Sequence, residues 1–349
     1  MNERVEAPVF VERPTGVAPD AILRVFRVPP ECAGQRVDVF IQSRLRNTSR
    51  TRARLIVENS GYSLEGRRLK PSERVRAESH VALWRPPLAE DRTLVHIPVL
   101  YEDPYLLAVD KPPLMAVHPT ARYCQSTALR QLETAYPHQF LSLIHRLDRE
   151  TSGVLLVART PEADRQFKRL LEDRTVLGAR AASSMAKTYL AITWGVPDPG
   201  DYRMPLEPDC ENPLRVKMRV ARHGAGLEAH TSVAVLERAE GYALVQCELH
   251  TGRQHQIRVH LAAAGCPIVG DKLYGPDDRM LARAADGLLT DEDALALELP
   301  RHALHAYRYE LRHPLTGSCL TLEAPLPADL REFWESRAGY ALEPADSSA

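Results

Sequence analysis

Two spacings of apolar residues predict two kinds of element near the start of this chain. Residues 22–28 alternate apolar and polar side chains, as a half-buried strand does. Apolar side chains in residues 37–45 recur at helical spacing, and Ser49 is a suitable N-cap for a second helix. Residues 59–61 can end that helix, and residues 62–70 are typical of a hairpin. This order predicts a small α+β unit.

Further along, short apolar runs between turn residues predict buried strands. Residues 105–109 and 154–157 form such runs, and residues 187–192 alternate in strand fashion. Residues 127–136 are typical of a helix. Another helix is predicted for residues 160–171, because a Thr at the N-cap is followed by a Pro at the first helical position.

A polar cluster interrupts this apolar pattern at residues 145–148, His-Arg-Leu-Asp, and turn residues follow it at 151–153. Because Arg146 and Arg149 lie close to Asp148 in sequence, this carboxylate should stay ionised. An ionised, partly desolvated Asp can act as a nucleophile at a sugar carbon. The alternative is a surface carboxylate in an ion pair, which is the ordinary role of an Asp in a loop.

The length and composition of the chain are typical of a globular protein and argue against several other classes of protein. A chain of 349 residues is long enough for a sizeable core and more than one domain. No stretch is long and apolar enough to span a membrane, and the polar start does not resemble a signal peptide. Six scattered cysteines without a CxxC pair argue against a zinc ribbon or a disulfide framework, and they favour the reducing cytoplasm.

Charge is unevenly distributed, although the net charge is only −1. Residues 34–76 carry eleven basic and four acidic side chains. Such a patch suits phosphate contacts, which give affinity without sequence information, and Arg50 and Arg52 are candidates for them. A solvated charged surface is the alternative. Residues 85–92 combine Pro-Pro with charged residues and are the predicted linker.

Residues 145–153 resemble the catalytic motif of the RluA-type pseudouridine synthases. Other motifs of that family are resembled, in the family's order, by residues 110–119 with Lys111-Pro112 and His118-Pro119, by Lys187-Thr188-Tyr189, and by residues 250–275. Within the first of these, Pro113 and Leu114 stand where the family often has a small residue or Gly. Four ordered motifs are far more specific than any one of them alone.

The N-terminal order of helix, basic turn, helix and hairpin resembles an S-four-like RNA-binding module. Together the resemblances imply an α+β protein whose catalytic domain has a mixed, mainly antiparallel sheet. The predicted organisation is a loose lead-in at residues 1–21, the S-four-like domain at 22–84, the linker at 85–92, the pseudouridine synthase catalytic domain at 93–337 and a tail at 338–349.

The resemblance implies an RNA pseudouridine synthase, an isomerase that converts uridine in RNA to pseudouridine without a cofactor, a metal or a second substrate. Asp148 would attack the anomeric carbon or remove the 2′-proton to form a glycal, and both routes stay open. Arg258 would pair with Asp148, and Tyr189 would stack on the flipped base and assist proton removal from carbon 5. Arg146 would fill the space that the flipped uridine leaves in the RNA.

Further residues are predicted to bind substrate, and a group of three histidines is predicted not to bind a metal. The predicted substrate-binding residues are Arg146, His145, Arg253, Lys217, Arg50 and Arg52. Lys217 alternates with Arg215 and Arg219, which places all three on one face of a strand, toward an RNA groove or toward solvent. The three histidines of residues 250–260 recur every five positions, which places them poorly as joint zinc ligands.

The predicted substrate is large-subunit ribosomal RNA, bound by a cytoplasmic monomer, and transfer RNA is the alternative. A non-catalytic RNA-binding assembly factor is a second alternative, and the joint presence of Asp148, Tyr189 and Arg258 speaks against it. A glycoside hydrolase also attacks an anomeric carbon, but it normally needs a second positioned carboxylate. Glu150 is too close to Asp148 in sequence to be assigned that role.

Overall fold

The computed structural model describes residues 13–18, 21–45, 48–85, 95–118, 126–177, 185–212, 216–222, 226–286 and 288–340. The chain divides into two compact units, Met1–Glu90 and Asp91–Ala349. The predicted linker lies outside the described residues except for Arg85, and most of the predicted lead-in and tail does so as well.

The N-terminal unit is a three-stranded antiparallel sheet with two helices. Its elements are β1 (Ile22–Arg27), α1 (Val37–Arg44), α2 (Arg50–Ser60), β2 (Gly61–Tyr62) and β3 (His80–Arg85), with strand order β1-β3-β2. The Ser49 hydroxyl accepts a hydrogen bond from the backbone of Arg52, so the predicted N-cap is confirmed. The predicted hairpin is shorter than expected. Its described residues form a single β-bridge, between Tyr62 and Arg68.

The sheet of the second unit has ten strands. They are β4 (Val99–Glu102), β5 (Leu106–Lys111), β6 (Ser142–Leu143), β7 (Ser152–Ala158), β8 (Ala186–Trp194), β9 (Gly200–Tyr202), β12 (Thr231–Ala239), β13 (Tyr242–Leu249), β14 (Leu304–Arg312) and β15 (Cys319–Glu323). The main path runs β4-β5-β7-β14-β8-β13-β12-β9, and β15 and β6 pair with β14 and β7. β7 and β14 are parallel, and the other pairings in this sheet are antiparallel.

Helices and a separate ribbon complete this unit. The ribbon pairs β10 (Leu206–Pro208) with β11 (Met218–Val220), and the helices are α3 (Ala128–Ala135), α4 (Pro161–Leu177), α5 (Gln256–Ala263), α6 (Met280–Asp286), α7 (Asp291–Leu297) and α8 (Ala328–Ala338). The Thr160 hydroxyl accepts from the backbone of Ala163, which confirms the predicted cap of α4. Gly265 has a φ of 78° and follows α5, in the conformation that Gly commonly adopts after a helix.

The seam between β7 and β14 positions the polar cluster. Every residue of β7 is buried, so its apolar face is fixed in the core. Gly153 has a φ of 107°, and a Cβ atom there would lie 2.2 Å from the carbonyl oxygen of Ala306 on β14. Only Gly fits this crossing. The loop of residues 144–151 therefore enters β7 at a fixed point.

Candidate active site

Asp148 lies in the loop between β6 and β7, and its carboxylate is bound by an arginine 110 residues away in sequence. The Nη1 atom of Arg258, on α5, donates to Asp148 Oδ2 at 2.8 Å. The Asp148 side chain is 31% exposed, whereas Arg258 is buried. The structure thus brings together the two residues that the resemblance paired, and it leaves one side of the carboxylate open to a ligand.

Asp271 holds the rest of the Arg258 guanidinium. Arg258 donates from Nε to Asp271 Oδ2 at 2.7 Å and from Nη2 to Oδ1 at 2.8 Å. Asp271 is fully buried, and it also accepts from the backbone N–H groups of Leu273 and Tyr274. Because a bidentate pair fixes the plane of a guanidinium, only Nη1 is left to face Asp148.

Burial and charge act in opposite directions on the pKa values of this triad. Burial is the largest effect on Asp148 and raises its pKa, but Arg258, His255 and His302 outweigh it, so the pKa lies below its ordinary value. For Asp271, Arg258 again outweighs burial and lowers the pKa well below the ordinary range. Asp148 is therefore an ionised carboxylate at neutral pH.

Glu150 anchors the end of the same loop. Its carboxylate accepts from Lys272 Nζ at 2.9 Å and from the backbone N–H of His302 at 3.1 Å. Its backbone carbonyl accepts from Arg301 at 3.2 Å, and Arg301 also forks onto Asp329 of α8. Since these contacts engage both Glu150 oxygens, its carboxylate has a structural role here, which argues against a two-carboxylate hydrolase.

Lys111 supports the loop from the end of β5. Its ammonium group is buried and donates to the carbonyls of Pro112 at 2.7 Å, Met115 at 2.9 Å and Arg149 at 3.3 Å. Burial, followed by the charge of Arg301, lowers its pKa to about 7. Leu114 adopts a φ of 63°, the left-handed conformation that a Gly would take at this point. Leu114 thus occupies a backbone conformation that residues other than Gly adopt rarely.

Tyr189 is on β8 and is almost buried, with 6% of its surface exposed. Its hydroxyl lies 2.7 Å from that of Tyr309 on β14. His145 packs nearby, with its ring 5.2 Å from the Tyr309 ring, and its Nε2 accepts from the backbone of Leu156 at 3.1 Å. Arg146 is exposed next to it. His145 is thus engaged within the fold, whereas Arg146 is available to a large ligand.

The remaining predicted substrate-binding residues contact other partners or are exposed in the N-terminal unit. Arg253 donates to the carbonyl of Glu228 at 2.9 Å, and Lys217 donates to Asp278 at 2.9 Å. β11 contains Arg219 and begins at Met218, directly after Lys217, whose carbonyl accepts from the backbone N–H of Asp209 at 2.8 Å. Arg215 lies outside the described residues, so the expected alternation stays a prediction. The other two candidates, Arg50 and Arg52, are exposed in the first turn of α2, in the N-terminal unit.

The three histidines of residues 250–260 have separate surroundings. His255 faces Asp148, and His260 Nδ1 lies 3.0 Å from the Thr231 hydroxyl. His250 stacks on His230 at 4.0 Å, and their ligand atoms lie within 4.8 Å of each other and of an oxygen of Asp201. His230 Nε2 lies 3.1 Å from Asp201 Oδ1, and the Ser232 hydroxyl bonds both Asp201 and His250, at 2.6 and 2.7 Å. Polar contacts within the fold therefore connect this group.

Comparison with known proteins identifies the class. A family model described as RNA pseudouridylate synthase matches residues 105–263. A protein of Neisseria meningitidis serogroup A, named ribosomal large subunit pseudouridine synthase D, is 33% identical over 87% of this chain and 79% of its own length. A protein of the same name from Pseudomonas aeruginosa is 33% identical over 89% of this chain and 94% of its own length. The chain therefore belongs to the RNA pseudouridylate synthase family.

Solved structures agree with this assignment. Human RNA Pseudouridylate Synthase Domain Containing 4 superposes with a TM-score of 0.53 at 27% identity, over 71% of this chain and 95% of its own. The corresponding Domain Containing 1 protein has a TM-score of 0.51 at 22% identity and shows the shared fold, over 73% of this chain and 100% of its own. The predicted fold class and the predicted enzyme class, an isomerase acting on RNA, are confirmed. Among the described helices, none has the length and apolar character needed to cross a bilayer.

Proposed function

We propose that this enzyme converts uridine to pseudouridine in large-subunit ribosomal RNA, with Asp148 as the reacting group. The observation that carries the assignment is the Arg258 fork, which is held by buried Asp271 and presents one N–H to Asp148 at 2.8 Å. The names of the relatives from Neisseria meningitidis and Pseudomonas aeruginosa support ribosomal RNA as the substrate.

The ionised state of Asp148 suits both chemical routes. Its free oxygen either attacks the anomeric carbon or removes the 2′-proton, and the carbon–nitrogen bond to the base breaks. The base then turns and carbon 5 joins the same ribose carbon, which breaks the bond to Asp148 on the first route and returns the 2′-proton on the second. The proton on carbon 5 is lost and the freed base nitrogen gains one. Arg258 keeps the carboxylate charged and oriented throughout. Because atoms and electrons balance within one nucleotide, we expect neither a cofactor nor a metal.

The target base has to leave its stack to reach Asp148. We propose that exposed Arg146 takes its place in the RNA and that Tyr189 stacks on the extruded base. The N-terminal domain, residues 22–84, would bind phosphates through Arg50 and Arg52 as an S-four-like module. The catalytic domain would span residues 93–337. A monomer acting in the cytoplasm, where ribosomal RNA lies, completes this proposal.

The deciding experiment replaces Asp148 with Asn, which keeps its size but removes the reactive charge. We expect Asp148→Asn to abolish tritium release from 5-tritiated uridine in unmodified large-subunit ribosomal RNA, with RNA affinity nearly unchanged. The matched control is Asp201→Asn, which changes a half-exposed carboxylate on β9 and should retain activity. Full activity of Asp148→Asn would remove Asp148 from the mechanism.

The choice of RNA needs a second comparison. Wild-type enzyme is incubated with unmodified large-subunit ribosomal RNA and with unmodified transfer RNA, and pseudouridines are mapped in both. Modification of the ribosomal RNA alone is the expected result, and modification of the transfer RNA alone would replace this substrate. A wild-type protein that binds either RNA without modifying it would support the assembly-factor alternative.

A further inference from the structure

The two oxygens of the Asp148 carboxylate have different neighbours. Oδ2 accepts from Arg258 Nη1 at 2.8 Å, whereas Oδ1 faces the Nε2 atom of His255 at 3.8 Å. The second distance exceeds that of a hydrogen bond. Oδ1 is therefore the oxygen that stays available for reaction, and His255 is the side chain that faces it.

The backbone around His255 is built to hold it there. His255 has a φ of 57°, a conformation that side chains other than Gly adopt rarely, and it directly precedes α5. The side-chain oxygen of Gln256 accepts from the Thr251 hydroxyl at 2.7 Å and from the Arg253 backbone at 3.0 Å. Its amide nitrogen donates to the carbonyl of His230 at 2.9 Å. These contacts fix the turn that points the imidazole toward Asp148.

The other ring nitrogen of His255 is bound by Tyr274. His255 Nδ1 lies 2.9 Å from the Tyr274 hydroxyl oxygen, and the same oxygen accepts from the backbone N–H of Met218 at 2.8 Å. Because a backbone N–H can only donate, the hydroxyl proton of Tyr274 is free to be given to Nδ1. The ring proton of a neutral His255 then resides on Nε2, where it faces the carboxylate.

The charges nearby favour the same tautomer. With a proton on Nδ1 instead, the Nε2 lone pair would face the negative oxygen of Asp148. Burial, followed by the positive charge of Arg258, lowers the pKa of His255 to about 4, so the ring is neutral at pH 7. Tyr274, Asp148 and Arg258 thus select one uncharged form of the imidazole.

We infer that His255 is a positioning residue: its Nε2–H, oriented by the Tyr274 hydroxyl, attracts Asp148 Oδ1 electrostatically across 3.8 Å and turns that oxygen toward the ribose of the extruded uridine. This inference rests on the proposed role of Asp148. Arg258 fixes one oxygen and supplies charge, whereas His255 supplies a neutral N–H dipole that attracts the other oxygen. A neutral donor orients the reacting oxygen without neutralising it.

The tautomer can be measured directly on the wild-type protein by nitrogen-15 NMR of labelled histidines at pH 7. We expect His255 to be neutral, with Nε2 protonated and Nδ1 unprotonated. Tyr274→Phe removes the hydroxyl and should reduce the population of that tautomer. A wild-type His255 with its proton on Nδ1, or with both nitrogens protonated, overturns the inference.

Kinetics provides the second test, with a control in the same backbone conformation. His255→Asn keeps a residue that tolerates positive φ, but its shorter side chain places no N–H at the position of Nε2. It should lower the single-turnover rate at saturating ribosomal RNA by roughly 10- to 100-fold. The RNA dissociation constant should stay within about twofold, because His255 acts after binding. His138→Asn changes an exposed histidine with a φ of 64° and should leave both values unchanged.

The outcomes separate this inference from the proposed function. If Asp148→Asn is inactive and His255→Asn reacts at the wild-type rate, the role of His255 is wrong and that of Asp148 remains. If His255→Asn weakens RNA binding and leaves the rate at saturation unchanged, His255 contacts RNA and the positioning role is also wrong. Activity in Asp148→Asn overturns both proposals together.

Discussion

Two arginine ion pairs of the N-terminal unit and two of the second unit differ in exposure. In the N-terminal unit, Arg54 pairs with Glu58 and Arg67 with Glu73, and these arginine side chains are 63% and 61% exposed. In the second unit, Arg258 and Arg301 are 8% and 1% exposed, and each forks onto one Asp. Exposed pairs are screened and can exchange partners, whereas buried forks hold one geometry.

This difference teaches where each kind of contact is useful. A phosphate backbone presents many equivalent oxygens, so a cation that binds it needs charge more than an exact position. A carboxylate that attacks one carbon atom needs a defined direction. The chain thus carries exposed arginines on a helix of its basic unit and buried arginines behind its reactive loop.

The largest effect is expected from removing the buried fork. Arg258→Met leaves Asp271 buried and unpaired, so we expect the free energy of unfolding to fall by roughly 3–5 kcal/mol. The single-turnover rate should fall by at least about 10²–10³-fold, because Asp148 loses its oriented donor. Urea unfolding and tritium release measure the two changes.

A double variant separates the two roles of Arg258. Arg258→Met combined with Asp271→Leu removes both charges of the fork and should regain much of the lost stability without regaining activity. The exposed control, Arg54→Met, should change stability by no more than about 1 kcal/mol. Equal losses of stability in Arg258→Met and Arg54→Met would break the comparison between the two units.

A smaller effect is expected on the free energy of unfolding at acidic pH. Burial lowers the pKa of both His302 and His305 to about 4, below the value of about 6.5 expected in the unfolded chain. Between these values the unfolded state binds more protons, so stability is fully present above pH 6.5 and is lost as the pH falls toward 4. The loss should approach about 1.4 kcal/mol per pH unit for each histidine.

Urea unfolding from pH 7 to 4.5 tests this dependence. His305→Gln removes one titrating ring and should make the curve less steep, whereas His138→Gln, a change at an exposed histidine, should leave its slope unchanged. A wild-type curve that is flat between pH 6.5 and 4.5 would mean that these rings are not held neutral.

The smallest effect on stability, with a clear effect on binding, is expected in the basic unit. Arg50→Gln and Arg52→Gln should each weaken RNA binding and reduce the slope of log affinity against log salt by about 1. The free energy of unfolding should stay within about 0.5 kcal/mol of wild type, because both side chains are exposed. An unchanged salt slope in both variants would exclude α2 from the RNA contact.

Local features were the most predictable from sequence. The caps at Ser49 and Thr160 were predictable because a hydroxyl next to the first helical turn satisfies a backbone N–H group within three residues. The strand of residues 187–192 depends equally on local pattern. The Asp148–Arg258 pair was predicted from resemblance to a family, since no local pattern connects residues 110 positions apart.

Partners distant in sequence were not predictable from pattern. Asp271 lies in a stretch recognised as part of a motif, but nothing in that stretch indicates that its carboxylate holds Arg258. The Tyr274 hydroxyl binds the backbone of Met218 where β11 begins, and no pattern around Met218 indicates that partner. The tertiary structure decides which of several possible partners a side chain binds.

The direction in which the reactive loop leaves the sheet depends on Gly153 having no Cβ atom. Strands β7 and β14 approach so closely at residue 153 that one methyl group on that residue would overlap the carbonyl of Ala306. Even the smallest side chain would have to push the two strands apart at the root of the loop. The close packing of these two strands therefore determines the orientation of the Asp148 carboxylate. Adding one carbon at residue 153 would change how that carboxylate faces the substrate.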